Sequence, residues 1–537
     1  MHSEKQSKAI DLSHHLSDWS RSRTVSPLKG LQKYWGKPGL ISLAGGLPSP
    51  AYFPFAAISA DALAIDSFAA KNTTENSSPL SWLWNLFGAS GKEKSIRVSI
   101  PKYSDDPNDI NLETALQYSR AIGLPQLLDF VKAFSAKVFQ PAYSDFAVLS
   151  HTGNTDAWNR CVATLCNPGE GVLTAAWTYP SAVATMAPYK VLPVPVDMDG
   201  EGMRSDSLRE ILSGWDAEAR GMPRPHVMYT IPVGQNPCGS TMGGERKKEI
   251  YAICVEYDVI IVEDDPYYFL QEGEYKPKSE RSQQTSVSSQ GGEDAYISSL
   301  APSYLKYDYE GRVIRLDTFS KTIAPGCRLG WFTCSPMFAE RLERQGETST
   351  QSPSGIAQAV VAKVITSWKY EGYIRWLQGL GTQYTLRRDH FIDCLADEFH
   401  LQRAPGGGQG VWGGSDIYIA SQKPSRWNNL SEKYASASRK PMFSFVPPTS
   451  GMFLWIKLHL ENHHAISSEP EETLEIKLFS QLAEAGVLFA PGFMFSAEQL
   501  TDSTQGHFRI SFSNCETSEM KKAASIFAQV MTEFFKE

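Results

Sequence analysis

Short apolar runs separated by helical stretches leave this chain few folds to adopt. Phe146–Ser150, Gly171–Ala175, Val191–Val196, Val227–Ile231 and Val259–Val262 each span four to six residues. Two more runs, Val313–Leu316 and Leu329–Cys334, follow. Stretches with apolar residues at helical spacing lie among them, Gly123–Phe139 and Glu245–Tyr257 for example. Near-continuous apolar runs of this length read as strands buried on both faces. Alternation with helices makes the sheet mostly parallel and sandwiched by helices. Ligands in such sheets sit beyond the carboxyl ends of the strands. After a long helical region from Gly355 through Cys394 the rhythm changes. Met452–Ile456, Val487–Phe489 and Phe508–Phe512 read as strands, Leu474–Glu484 and Thr517–Phe535 as helices. The expected class is therefore α/β, with a smaller α+β domain.

At 537 residues the chain exceeds one simple core. Apolar content of 42% and charged content of 20% fit a soluble globular protein. A formal charge of −8 without a basic block argues against nucleic acid or an anionic membrane as partner. No apolar run approaches the ~18 residues that span a bilayer. The polar start MHSEKQSKAIDLSHH lacks the apolar stretch of a secretory signal, so a cytoplasmic location is expected. The eight cysteines form no C-x-x-C and no His lies at metal spacing from them, so free thiols and no metal are expected. Residues 70–101, 272–300 and 402–440 are rich in small and polar residues and read as insertions.

The polar motifs at the strand ends carry the chemistry. Gly153-Asn154-Thr155 follows a strand and opens a helix, where free N–H groups favour a phosphate. Simple capping by Asn154 or Thr155 explains it equally well. Tyr179 closes a strand, either to stack on a flat heterocycle or to pack at the core edge. Asn236 is held before a proline, as a fixed hydrogen-bonding amide or as part of a turn. Glu263-Asp264-Asp265 ends a buried strand, and uncompensated carboxylates there imply a cation. A protonated pyridine nitrogen would supply one. Thr318-Phe319-Ser320-Lys321 is a polar turn at another strand end. Its lysine either turns out to solvent or reacts with an aldehyde cofactor. Arg328, seven residues on, suits a phosphate. Arg509, inside an apolar strand, makes a structural ion pair or binds a substrate carboxylate. Gly408-Gln-Gly410-Val-Trp-Gly413 matches G-x-G-x-x-G, but with no strand before it and no helix after it a dinucleotide site is excluded.

Together these residues resemble the fold-type I pyridoxal-phosphate-dependent aminotransferases. The branch is that of fungal aromatic amino acid aminotransferases and kynurenine/2-aminoadipate aminotransferases. The matching pieces are SLAGGLPSP (42–50), ALQYSRAIGLPQLL (115–128), HTGNTDAW (151–158), YTIPVGQNPCG (229–239), IIVEDDPYYFLQ (260–271), FSKTIAPGCRLGW (319–331) and FRISFS (508–513). The resemblance implies pyridoxal 5'-phosphate as cofactor, with Lys321 as the lysine that bonds to it and later shuttles the proton. Asp265 would pair with the pyridine nitrogen. Asn236 and Tyr268 would hydrogen-bond the ring oxygen, and Tyr179 would stack on the ring. Asn154, Thr155, Thr318, Ser320 and Arg328 would surround the phosphate. Tyr118 would reach the phosphate of a neighbouring subunit, implying a homodimer with shared active sites. Arg509 would clamp the substrate carboxylate, with Gly46, Asn236 and an N-terminal Arg23 beside the substrate. The implied domains are an arm over 1–60, a large cofactor domain over 105–375 and a small domain over 376–537. The implied reaction is ping-pong transamination between an amino acid, aromatic by family, and a 2-oxo acid such as 2-oxoglutarate. Alternatives are 2-aminoadipate or kynurenine as donor, a lyase or decarboxylase on the same cofactor, and an aminotransferase-like ligand-sensing regulator.

Overall fold

The computed structural model describes the chain except residues 1–6, 27–33, 35, 36, 41, 42, 45, 66, 68–93, 107, 282–291, 424–439, 464–472, 499–505 and 537. The chain forms two compact units that do not follow a single cut along the sequence. One comprises 1–167, 260–269 and 283–380, the other 168–259, 270–282 and 381–537. The first unit holds a sheet of four strands, and the second unit holds three parallel strands and a separate antiparallel sheet.

In the first unit the strand order is Ala147–His151, Gly330–Cys334, Val313–Thr318, Ile260–Asp264. Val313–Thr318 runs parallel to Ile260–Asp264 and antiparallel to Gly330–Cys334. One reversed strand thus makes the sheet mixed. It follows the short turn at 319–329, too brief for the crossover that a parallel neighbour needs. Every residue of Val313–Thr318 and Ile260–Asp264 is buried, charged ones included. Helices Pro125–Val138 and Asn154–Leu165 pack on this part through Leu127, Val131, Phe134, Cys161 and Leu165.

In the second unit Val227–Thr230, Gly171–Ala175 and Leu192–Val196 are parallel neighbours. A separate six-stranded antiparallel sheet has the order Phe399–Ala404, Ile417–Gln422, Phe443–Phe445, Phe453–Leu458, Gly506–Ser511, Ala490–Pro491. Leu454, Ile456, Leu458, Phe508 and Ile510 alternate onto one face and share a core with Leu478, Phe527 and Met531 of helices Leu474–Glu484 and Thr517–Phe534. The other face carries Phe453, Trp455, Lys457, His507 and Arg509.

Three expected insertions are partly regular structure. Ser95–Pro101 pairs with Ala57–Leu63 as a two-stranded sheet. Gly292–Ser299 is a helix. Phe399–Ala404 and Ile417–Gln422 are strands of the antiparallel sheet. Their Ser, Gln and Gly content hid them, because an edge hairpin exposes one face and so lacks a long apolar run. Residues 70–93, 282–291 and 424–439 of these insertions lie outside the described residues. The expected strand Val487–Phe489 is irregular, and the pairing begins at Ala490. The long helix Gly355–Glu398 breaks at Lys369, whose φ is +58°.

Candidate active site

The Lys321 turn is fixed from several sides. Phe319 packs on Trp331 with ring centroids 5.0 Å apart. The next residue, Thr322, accepts at its carbonyl from Trp376 Nε1 at 2.7 Å. Tyr373 Oη donates to Thr322 Oγ1 at 3.2 Å. Lys321 is half-buried. Ser320 N donates to Thr318 Oγ1 at 3.1 Å.

Beside it is a turn shaped for an anion. Gly153 has φ +111° and caps helix Asn154–Leu165, with no side-chain cap. The capping alternative for Asn154 and Thr155 is therefore not what the turn does. Asn154 and Thr155 stand in the first turn of the helix, where N–H groups point outward. A Cβ on Gly153 would fall 2.1 Å from Arg328 Nη2, so the guanidinium rests against the glycine backbone, whose φ of +111° itself favours glycine. Arg328 Nη1 in turn lies 3.4 Å from Ser320 Oγ. Gly153 N donates to His151 Nδ1 at 3.0 Å. Burial, and then the charge of Arg160, push the pKa of this imidazole down to about 3, so it stays neutral and can accept. Helix N–H groups, a serine hydroxyl and a guanidinium are the donor set a phosphate ester requires.

The acids Glu263, Asp264 and Asp265 separate by face. Asp264 Oδ1 accepts from Asn154 Nδ2 at 2.6 Å, which places it on the side of the anion turn. Glu263 and Asp265 meet Arg315 instead. Arg315 Nη1 lies 2.7 Å from Asp265 Oδ2 and 3.2 Å from Glu263 Oε2, and Nη2 lies 2.9 Å from Asp317 Oδ1. Arg315 is fully buried, with its guanidinium 3.8 Å from the centroid of Phe139 and 4.7 Å from that of Tyr268. Ser303 Oγ and Tyr304 N complete the coordination of Glu263 at 2.5 and 2.9 Å. The cation that the run of acids implied is thus, for two of them, an arginine on the neighbouring strand. Sequence reasoning passed over Arg315. Its signal was the pattern Arg-x-Asp inside a strand otherwise apolar. Asp265 and Tyr268, expected at the cofactor ring, both belong to this cluster. Burial keeps the Tyr268 hydroxyl protonated well beyond its ordinary range.

In the second unit Arg509 Nη1 donates to Asn236 Oδ1 at 2.8 Å. The guanidinium also lies 4.2 Å from the centroid of Phe453 and 4.6 Å from that of Phe495. Two aromatic faces and one amide hold it in a fixed plane, the arrangement that suits a forked carboxylate contact. Tyr179 is half-buried and immediately precedes helix Pro180–Met186. The remaining expected residues are not drawn into these groups. Gly46 is exposed with no atom within 4 Å of an added Cβ, and Tyr118 is 57% exposed. Arg23 Nη1 donates to Thr348 Oγ1 at 2.6 Å.

The model of the aminotransferase class I and II family matches residues 112–411, more than half of the chain. The chain belongs to the class I and II aminotransferases. An aromatic amino acid aminotransferase of Schizosaccharomyces pombe is 36% identical over 98% of both chains. An L-tyrosine:2-oxoglutarate aminotransferase of Tapinella panuoides is 30% identical over 98% of this chain and 97% of its own. The solved structure of aminotransferase Aro8 from Candida albicans superimposes with a TM-score of 0.80 at 32% identity, covering 99% of this chain and 100% of its own. As a member of this family the protein is a pyridoxal-phosphate-dependent aminotransferase. The Gly153 turn, with Arg328 and Ser320 beside it, fits the phosphate of that cofactor. No helix among the described residues is long and apolar enough to cross a membrane.

Proposed function

We propose that the enzyme transaminates aromatic amino acids, with 2-oxoglutarate as the oxo-acid acceptor, by a ping-pong cycle. The donor and acceptor rest on the names of the relatives, and the placing of the cofactor on one observation: the Asn154–Asp264 hydrogen bond, which joins a carboxylate to the anion turn. Bound pyridoxal phosphate supplies a cationic ring that accepts electrons when the α-proton leaves.

The chain's own residues do the rest. Asp264, rather than Asp265, holds the pyridine nitrogen protonated. Asp265 already neutralises Arg315, and Tyr268 packs against the same guanidinium. Tyr267, one residue nearer Asp264, therefore takes the ring-oxygen role expected of Tyr268, together with Asn236. Asn236 directs its oxygen to Arg509, which keeps its amide hydrogens for donation. Lys321 carries the proton between the substrate α-carbon and the cofactor. Tyr179 covers the ring face. Thr155, Thr318, Ser320 and Arg328 bind the phosphate beside Asn154, whose amide spaces the phosphate from Asp264. Arg509 binds the carboxylate of amino and oxo acids alike, so both half-reactions use one clamp.

A homodimer in the cytoplasm is part of the proposal. Leu43, Tyr52 and Tyr118 are 92%, 86% and 57% exposed, and a second copy would cover such apolar surface. Gly46 and Arg23 belong with the substrate only if that contact reorders the N-terminal arm.

A panel of amino donors against 2-oxoglutarate tests the specificity. Phenylalanine, tyrosine and tryptophan should give the highest kcat/KM. A preference for 2-aminoadipate or kynurenine would refute aromatic specificity, and multiple turnovers, beyond one equivalent of product per site, without an oxo acid would show a lyase or decarboxylase. Lys321→Ala should abolish both turnover and the visible absorbance of the lysine-bound cofactor.

A further inference from the structure

The glycine-rich loop that imitates a dinucleotide motif closes a cavity in the second unit. Gly408–Gly413 contains a single 3-10 turn, Gly410–Trp412. A Cβ on Gly408 would fall 1.8 Å from the carbonyl oxygen of Trp412, so glycine lets the loop fold over that residue. Trp412 is 6% exposed, and its Nε1 has no hydrogen-bond partner among the described residues. The loop, with Trp177, Lys457 and His507, lines a half-open pocket of about 230 Å³.

The walls of this cavity are of one kind. Trp177 and His507 have ring centroids 4.8 Å apart, and His507 stacks on Trp455 at 5.0 Å with 9° between planes. Gln409, Val411 and Trp412 complete it. No lining residue is acidic. Lys457 lies directly across from His507 in the sheet register, is half-buried, and makes no ion pair among the described residues. Burial, with a smaller effect from Lys457, holds the His507 pKa down at about 3, so the imidazole does not compete for an anion as a second cation. A half-buried lysine with no ion pair among the described residues, lining the same pocket as Trp177 and Trp412, offers its ammonium to an anion. The volume is below the ~300–1,000 Å³ that holds drug-sized ligands.

We propose that this cavity is a second ligand site, for a small aromatic carboxylate: Lys457 binds the carboxylate, and Trp177 and Trp412 enclose the ring. It differs from the substrate clamp, because Arg509 and Asn236 do not line it. It is two residues from that clamp along the same strand face, His507 to Arg509. Occupancy is thereby positioned to alter substrate affinity, a coupling of two sites through one rigid element.

Phenylacetate is the test probe, because it has neither an amino nor a 2-oxo group and cannot turn over. Calorimetric titration of the holoenzyme should show saturable binding that persists in Arg509→Ala. Lys457→Met, which keeps the stem and removes the charge, should weaken it by about tenfold or more. Trp412→Phe should weaken it about threefold or more with an unchanged melting transition, and so checks the same site independently. Without phenylacetate, transamination by Lys457→Met should match wild type. Absence of saturable binding would overturn the proposal. So would loss in Arg509→Ala with retention in Lys457→Met, which would mean that the probe occupies the substrate clamp alone. Acetate should bind at least tenfold more weakly than phenylacetate; equal affinity would refute the aromatic part.

Discussion

Separate substitution of Asp264 and Asp265 distinguishes two carboxylates that adjoin in sequence. Asp264→Asn should lower kcat/KM by about 10²–10³-fold, the usual effect of removing one preorganised electrostatic partner. Its melting temperature should stay near wild type. Asp265→Asn should do the reverse, keeping catalysis within tenfold and lowering the melting temperature. Arg315→Met should be costlier still, by about 3–5 kcal/mol, because it leaves Glu263, Asp265 and Asp317 buried without their cation. Denaturant unfolding together with steady-state kinetics separates the cases. The same cluster has a pH signature. Burial, opposed by Arg315, lifts the Asp317 pKa to about 7. A carboxyl raised in the folded state binds its proton more tightly there than in the unfolded chain. Its contribution is therefore favourable below about pH 4 and lost as pH rises towards 7, by up to about 1.4 kcal/mol per pH unit. Asp317→Asn carries no titrating proton. Its stability relative to wild type should rise between pH 5 and pH 8, and a pH-independent difference would refute this assignment.

At the scale of elements, the Gly153 turn couples strand Ala147–His151 to helix Asn154–Leu165. Gly153→Ala would impose a positive φ on a residue with a Cβ, a strain of about 1–3 kcal/mol, and would displace Arg328. Titration of the apoenzyme with pyridoxal phosphate should show at least a tenfold weaker Kd, with the far-ultraviolet spectrum unchanged. The turn was visible in the sequence as a strand–Gly–helix junction. The family resemblance set Arg328 at the same phosphate, but the residue pattern alone does not bring positions 153 and 328 together; only the fold shows the guanidinium against the Gly153 backbone. The hairpin formed by Phe399–Ala404 and Ile417–Gln422 escaped for a different reason. The two strands, FHLQRA and IYIASQ, are only six residues each, and the glycine-rich stretch between them drew the whole segment into a loop reading.

At the scale of the whole molecule, shared active sites are tested by complementation. Lys321→Ala and Tyr118→Ala chains are each impaired in isolation, the second at limiting cofactor. Random reassembly of an equal mixture places half of the chains in mixed dimers. Each mixed dimer then has one site with both residues intact, so activity should recover to about a quarter of wild type. Additive activity without recovery would assign Tyr118 to its own chain, and a monomeric sedimentation profile would reject the dimer.

The alternation of apolar runs determined that strand ends would collect the polar motifs. The motifs themselves, above all FSKTIAPGCR and HTGNTD, pointed to the family and marked Lys321 as the candidate reactive lysine, because those residue types at those spacings are what a phosphate and an aldehyde need. The tertiary structure decided which acid meets which neighbour. Side chains alternate across a strand with a period of two, so Glu263 and Asp265 share the face of Arg315 while Asp264 turns to Asn154. Three acids in a row look alike in sequence. They become different only when neighbouring strands and helices supply one side with a guanidinium and the other with an amide.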